Sequence, residues 1–380
     1  MKIAILTLPL HTNYGGILQC YALQTVLERM GHKVFVIEQK IKPARLPLHL
    51  MPFCYGKRIL RNLIGHKFPI FYEQKYNRIQ SAIRQNTDIF ISRYIHIKKY
   101  KSFSDIGEDE YDAIVVGSDQ VWRPIYFGAS KIENAYLKFA ERWNIKRVSY
   151  AASFGTNEWE YTQEQTYECG RLLKKFDAVS VRECSATLSC KQYFGVDAQQ
   201  VLDPTLLLKK EDYINLCEAT NTPKSKGNLL CCILDETDEK KELVRHIADE
   251  KGLTPFNVTA KIYDENAPLN ERIQPPLEQW LRGFCDADVV VTDSFHACVF
   301  SIIFQKQFIV LGNKQRGLDR FSSWLTFLSL EERMINSFYD NNIWRLVLSK
   351  NINYTDIKQK LDAERLRSLA FLNKNIGDIK

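Results

Sequence analysis

None of the ten cysteines stands in a Cys-x-x-Cys pair. Most lie in apolar stretches such as residues 229–234, where Cys231 and Cys232 sit among leucine and isoleucine and read as small buried hydrophobes. A secretory leader is missing too: residues 1–10 carry one lysine, and Pro9 breaks their apolar run. Thiols without a leader suit the reducing cytoplasm, which is the expected location. No uninterrupted apolar run reaches the roughly 18 residues of a membrane span. Neither Gly-x-Gly-x-x-Gly nor a P-loop is present, so no dinucleotide or nucleotide fingerprint can be read. Acids are almost absent between residues 40 and 101, where fourteen Lys and Arg face only Glu73 and Asp88. That segment is therefore +12 in a chain of +7 overall, which leaves the remainder at about −5. No nucleic-acid recognition motif accompanies the charge, so nucleic acid is not an expected partner.

What is present fits two globular domains. The chain has 380 residues, 45% hydrophobic and 26% charged, enough for two cores. Residues 2–8 read as a buried strand, 11–16 as a turn, 17–30 as a helix stopped by Gly31, and 34–37 as a second strand. This βαβ order predicts a parallel sheet. After the basic insertion, strands at 113–117, 148–151 and 178–181 alternate with helices at 164–176 and 183–194. A second set follows the exposed connection 221–227: strands at 229–234, 289–292 and 308–311, helices at 240–251, 277–284 and 294–304. The expectation is α/β, with two Rossmann-like doubly wound domains facing a cleft. The first spans 1–208 with the insertion at 40–101, and the second 209–353. The closing helix, 354–380, is able to pack back on the first domain.

Ligands of open α/β sheets bind at the carboxyl ends of strands, and five polar clusters fall there. Asn13-Tyr14-Gly15-Gly16 either lets a ligand approach the backbone at a helix N-terminus or is a tight turn. Ser118-Asp119-Gln120-Val121-Trp122 follows a buried strand; Asp119 could take a proton from a sugar hydroxyl and Trp122 could stack on a sugar, or the segment is a helix cap with a packing Trp. Arg182 ends a central strand and suits a carboxylate or phosphate, or a structural ion pair with Glu183. His296, behind Asp293 and Ser294, is the one histidine at a strand end leading into a helix, and imidazole suits acid–base work near neutral pH. Lys314, Arg316 and Arg320 lie in the loop after the next strand, as a solvated surface or a further anion contact.

Together, residues 13–23, 117–122, 180–183, Asp203-Pro204-Thr205 and 292–296 resemble the polysaccharide pyruvyl transferase family over most of the chain. The resemblance implies a GT-B-like fold, phosphoenolpyruvate as donor, a sugar or lipid-linked oligosaccharide as acceptor, and no metal or other cofactor. It carries anion binding onto Arg182 and a position at the donor onto His296. Many members have Arg where this chain has Ser294, so donor binding needs another cation, for which Lys314, Arg316 and Arg320 are the candidates. His296 is then the expected proton donor and Asp119 the group that orients or deprotonates the acceptor. Asn13, Tyr14, Gly15, Gly16, Ser118, Gln120 and Trp122 are left to the acceptor or to loop structure. A nucleotide-sugar glycosyltransferase and a non-catalytic glycan- or anion-binding protein are the rival readings on the same fold. The insertion mixes apolar residues with its cations, which suits either an anionic membrane surface or packing on the first domain.

Overall fold

The computed structural model of the chain describes residues 1–40, 43–65, 69–312, 318–336 and 341–377. Two parallel sheets organise it. The first takes the order β3-β2-β1-β4-β5-β6-β7. Its strands are β1 (Lys2–Leu6), β2 (Lys33–Gln39), β3 (Ile97–Tyr100), β4 (Ala113–Val116), β5 (Lys146–Ala152), β6 (Ala178–Val181) and β7 (Gln199–Gln200). The second takes the order β12-β11-β10-β8-β9. It comprises β8 (Leu229–Cys232), β9 (Pro255–Phe256), β10 (Val289–Thr292), β11 (Gln307–Leu311) and β12 (Met334–Ile335). Ile3, Ala4, Ile5 and Leu6 are buried on both faces, as are Ala113 to Val116. Such continuous apolar runs are what a parallel sheet covered by helices requires.

The principal helices are α1 (Tyr14–Arg29), α2 (Met51–Leu63), α3 (Tyr72–Tyr94), α4 (Gln163–Leu173), α5 (Cys184–Ser189), α6 (Lys210–Ala219), α7 (Asp238–Lys251), α8 (Leu277–Asp286), α9 (Phe295–Ile303), α10 (Leu318–Leu328), α11 (Asn341–Ser349) and α12 (Tyr354–Ile376). In each sheet the strand order reverses once, between β1 and β4 and between β8 and β10. A crevice forms beyond the carboxyl ends of strands at such a reversal. Here it receives residues 7–13 and 117–119 from one sheet and 293–296 from the other.

Two differences from the sequence reading matter. The helix expected to start at Ile17 starts at Tyr14, because the Asn13 side chain caps it by accepting from Gly16 N–H at 3.3 Å. The basic insertion contributes an edge strand, β3, paired with β2 from Val36↔Ile97 to Gln39↔Tyr100. Its Lys98 and Lys99 mask the sheet signal. The closing helix α12 touches the first sheet's side of the molecule: Phe371 lies 6.3 Å from Tyr150, the Ser368 hydroxyl accepts from Leu202 N–H, and Arg365 donates to the Leu206 carbonyl. All ten cysteines are free thiols.

The two halves are also tied beside the crevice. Tyr14 donates its hydroxyl to the Pro275 carbonyl at 2.6 Å, Gln274 donates to the Thr12 carbonyl, and Asn86 donates to the Gln274 carbonyl.

Candidate active site

Arg182 is the hub. Its backbone N–H donates to the Ala152 carbonyl and so prolongs β6 beside β5. The guanidinium is 7% exposed and is held by three carboxylates: Asp203 Oδ2 at 3.0 Å, Asp119 Oδ1 at 3.5 Å and Glu183 Oε2 at 3.6 Å. Burial opposes its charge, but those carboxylates outweigh it and raise the guanidinium further above its ordinary range. Its carbon lies 4.9 Å from the centre of the Phe295 ring, a cation–π contact reaching across from α9. Nε and Nη2 of Arg182 have no hydrogen-bond acceptor.

Asp203 joins Arg182 to His296. Its Oδ1 accepts from the Thr205 N–H at 3.0 Å and the Thr205 hydroxyl at 2.7 Å. Its Oδ2 accepts from Arg182 and faces His296 Nε2 at 3.6 Å, an ion-pair distance without a hydrogen bond. Burial would push the Asp203 carboxyl up; His296 and Arg182 beside it more than cancel this and hold it well below the usual carboxylate range. His296 Nε2 is a further buried atom without a hydrogen-bond partner. On its other side the imidazole lies against α1: a Cβ built on Gly15 would sit 2.1 Å from His296 Nδ1. The first glycine of the Asn-Tyr-Gly-Gly cluster is thus required by the histidine, and the expected close approach there is made by a side chain of the protein.

The remaining predicted residues separate into two groups. Asp119 is near the centre, as a counter-ion of Arg182. It has a φ of 63°, which Asp tolerates better than most residues. Gly117 before it has a φ of 134°, and a Cβ there would meet the Tyr150 carbonyl oxygen at 2.1 Å, so only glycine fits. Ser294 stands at the N-terminus of α9, with its N–H donated to Thr292 Oγ1.

Others are structural. Of the two readings of Trp122, a sugar-stacking face and a packing Trp, the structure has the packing one: it is fully buried, stacked on Tyr136 at 5.1 Å, with its indole N–H donated to the Ala135 carbonyl. It is core, because the strand-end loop turns back beneath the 129–136 segment. Tyr14 is buried, its hydroxyl donated to the Pro275 carbonyl and pushed well above its ordinary pKa by burial. Ser118 is buried and donates its N–H to Gln19, while the Gln120 side-chain oxygen accepts from Arg123. Asn13 and Gly16 form the cap of α1. Lys314 and Arg316, and the side chain of Arg320, fall outside the described residues.

Beside Arg182 opens a cavity of ≈ 300 Å³, lined by Glu183, Gln200, Asp203, Phe295, Trp324 and Arg367 among others. The Trp324 indole N–H is buried without an acceptor. Arg367, from α12, is the other cation among the described lining residues. Sequence reasoning gave no role to Asp203, Phe295, Trp324 or Arg367. Asp203 carried one signal, the Asp-Pro-Thr turn it caps, and Phe295 stood in the 292–296 cluster; Trp324 and Arg367 carried none. Among the described residues no cluster of His, Cys, Asp and Glu is arranged to hold a metal.

Two parallel-sheet domains meeting at their carboxyl edges, with the polar centre in the crevice, define a GT-B fold. UDP-GlcNAc 2-epimerase from Neisseria meningitidis, solved with UDP-GlcNAc, is similar in fold at 10% identity and a TM-score of 0.51, over 99% of this chain and 100% of its own. MurG from Acinetobacter baumannii aligns over 100% of both chains at 10% identity and a TM-score of 0.43. The family profile for polysaccharide pyruvyl transferase matches residues 13–315, and the chain belongs to that family. No curated protein matches it.

Proposed function

We propose that this protein transfers pyruvate from phosphoenolpyruvate to two hydroxyls of a sugar in a surface or capsular polysaccharide precursor, forming a cyclic ketal. The observation that carries the reading is the convergence on Asp203 of two buried groups from different domains, Arg182 and His296, with three ring and guanidinium nitrogens lacking hydrogen-bond partners. Buried donors without acceptors are costly and point to a ligand that supplies them.

In this reading His296 is the proton donor, steered by Asp203, and Arg182 donates from Nε and Nη2 to the donor's anionic group. Protonation of the methylene carbon makes the enol carbon electrophilic. One sugar hydroxyl attacks it, the C–O bond to phosphate breaks, and a second hydroxyl closes the ketal. Of the two hydroxyl protons, one balances the new methyl group and the other leaves with phosphate.

Charge sets a condition on this. Three carboxylates surround one guanidinium, so the described centre is not electropositive by itself. A trianionic donor needs further cations. Arg367 lines the same cavity, paired with Glu364 at 2.7 Å, and Lys314, Arg316 and Arg320 follow β11 in the chain, β11 being the strand next to the one that leads to His296. A lipid-linked acceptor would be met at a membrane surface.

The test is phosphate release from phosphoenolpyruvate by purified protein over a panel of acceptor sugars. His296→Gln should lower turnover by roughly 10²–10⁴-fold with unfolding unchanged. A variant that works at the wild-type rate would remove His296 from the chemistry. Consumption of a nucleotide sugar without any response to phosphoenolpyruvate would replace the reaction altogether.

A further inference from the structure

Helix α2 contains no buried residue, although it is rich in large apolar side chains. Among the described residues its contacts lie on one face. Arg58 on that face makes a bidentate pair with Glu73 at 2.6 and 2.8 Å and donates to the Ile70 carbonyl, and Tyr55 packs edge-on against Phe71 at 5.3 Å. At 100° per residue Phe53, Leu60 and Ile64 fall on the opposite side, at i, i+7 and i+11. They are 71%, 61% and 77% exposed, and Leu48 and Leu63, near the two ends, are 83% and 78% exposed. Counting Leu50 and Ile59, seven large apolar residues are exposed between positions 48 and 64. Isolated exposed leucines are ordinary; a stripe along a helix marks a contact surface.

The charge beside the stripe identifies what it meets. Lys57 and Arg61, both exposed, flank it at i and i+4. The two acids of the +12 segment are taken internally, Glu73 by Arg58 and Asp88 by Arg84. Apolar side chains bordered by cations suit the interface of an anionic bilayer, where the stripe enters the acyl boundary and the cations meet headgroup phosphates. No helix among the described residues is long and apolar enough to cross a membrane, so the contact is one of lying on the surface.

We infer that residues 48–64 form a docking face for a bilayer of anionic phospholipid. The inference does not depend on the transfer reaction, since none of these residues lines the crevice.

Flotation of the full chain with vesicles of phosphatidylglycerol and phosphatidylcholine tests it, against vesicles of phosphatidylcholine alone. Binding to the anionic vesicles, weakened by salt, is expected. Lys57→Glu with Arg61→Glu should weaken it by at least about tenfold, and Phe53→Ser with Leu60→Ser and Ile64→Ser by a similar factor, with thermal unfolding unchanged in both. Absence of anion-selective flotation would overturn the inference, as would variants that float like the parent. A concentration-dependent dimer that the triple serine variant dissolves would overturn it in favour of a second copy of the chain. Phosphate release with soluble acceptor sugars would be unaffected in either case, which keeps this result separate from that of the reaction.

Discussion

Replacing Gly15 by alanine gives the sharpest perturbation of the crevice. The new Cβ would stand 2.1 Å from His296 Nδ1 and 2.3 Å from its Cγ. Ordinary contact needs about 3.5 Å, so ring or helix must move by more than about 1 Å. The ring has little room to retreat, because Asp203 Oδ2 lies 3.6 Å beyond Nε2. Overpacking of this kind costs about 1–3 kcal/mol. Displacing a catalytic group by 1 Å lowers turnover on the order of 10²-fold. Gly16 is the matched control, since its Cβ would meet Asn13 Nδ2 at 3.4 Å, an ordinary contact. There alanine should gain up to about 0.5–1 kcal/mol from reduced backbone entropy in a helix. Gly15 shares that helical gain, so the two neighbouring substitutions are expected to differ by the overpacking alone, about 1–3 kcal/mol, with Gly15→Ala the less stable. Denaturant midpoints measured side by side, with phosphate release on the same samples, give the comparison. If Gly15→Ala matches Gly16→Ala in both, His296 does not rest against α1 and the geometry of the crevice is wrong.

Two further outcomes follow from the buried groups. Trp122→Ala should cost about 3–5 kcal/mol of stability, as for other buried aromatics, with no selective loss of acceptor affinity. A Trp122→Ala protein of normal stability with a raised acceptor KM would restore the stacking role. Asp203 has a folded pKa held below its unfolded one, so its contribution is complete above about pH 4 and is lost as pH falls through the folded value. The stability gap between the wild type and Asp203→Asn should therefore shrink as pH is lowered from about 4 towards 2. A gap that stays constant over that range would mean Asp203 is not ionised by its partnership with Arg182 and His296.

Local chemistry wrote the elements into the sequence. Runs such as Ile3-Ala-Ile-Leu and Val289-Val-Val-Thr have no polar face to expose, so they had to be central strands of covered parallel sheets, and their alternation with helices implied two doubly wound domains. The polar clusters at strand ends were legible for the same reason: buried strands do not run into Asp, Arg or His without a crevice to receive them. What each cluster does there was decided by the tertiary structure. Trp122 and Tyr14 look like ligand contacts in sequence, yet one is covered by Tyr136 and the other is bonded to a carbonyl 261 residues away. Gly15 is glycine because of a side chain 281 positions later, and Asp203 has its importance only because β6 and α9 bring a guanidinium and an imidazole to the same carboxylate. Periodicity and capping are interactions between near neighbours and survive in a string of residues. Steric fit and charge pairing across a crevice depend on distances that exist only once the chain has folded.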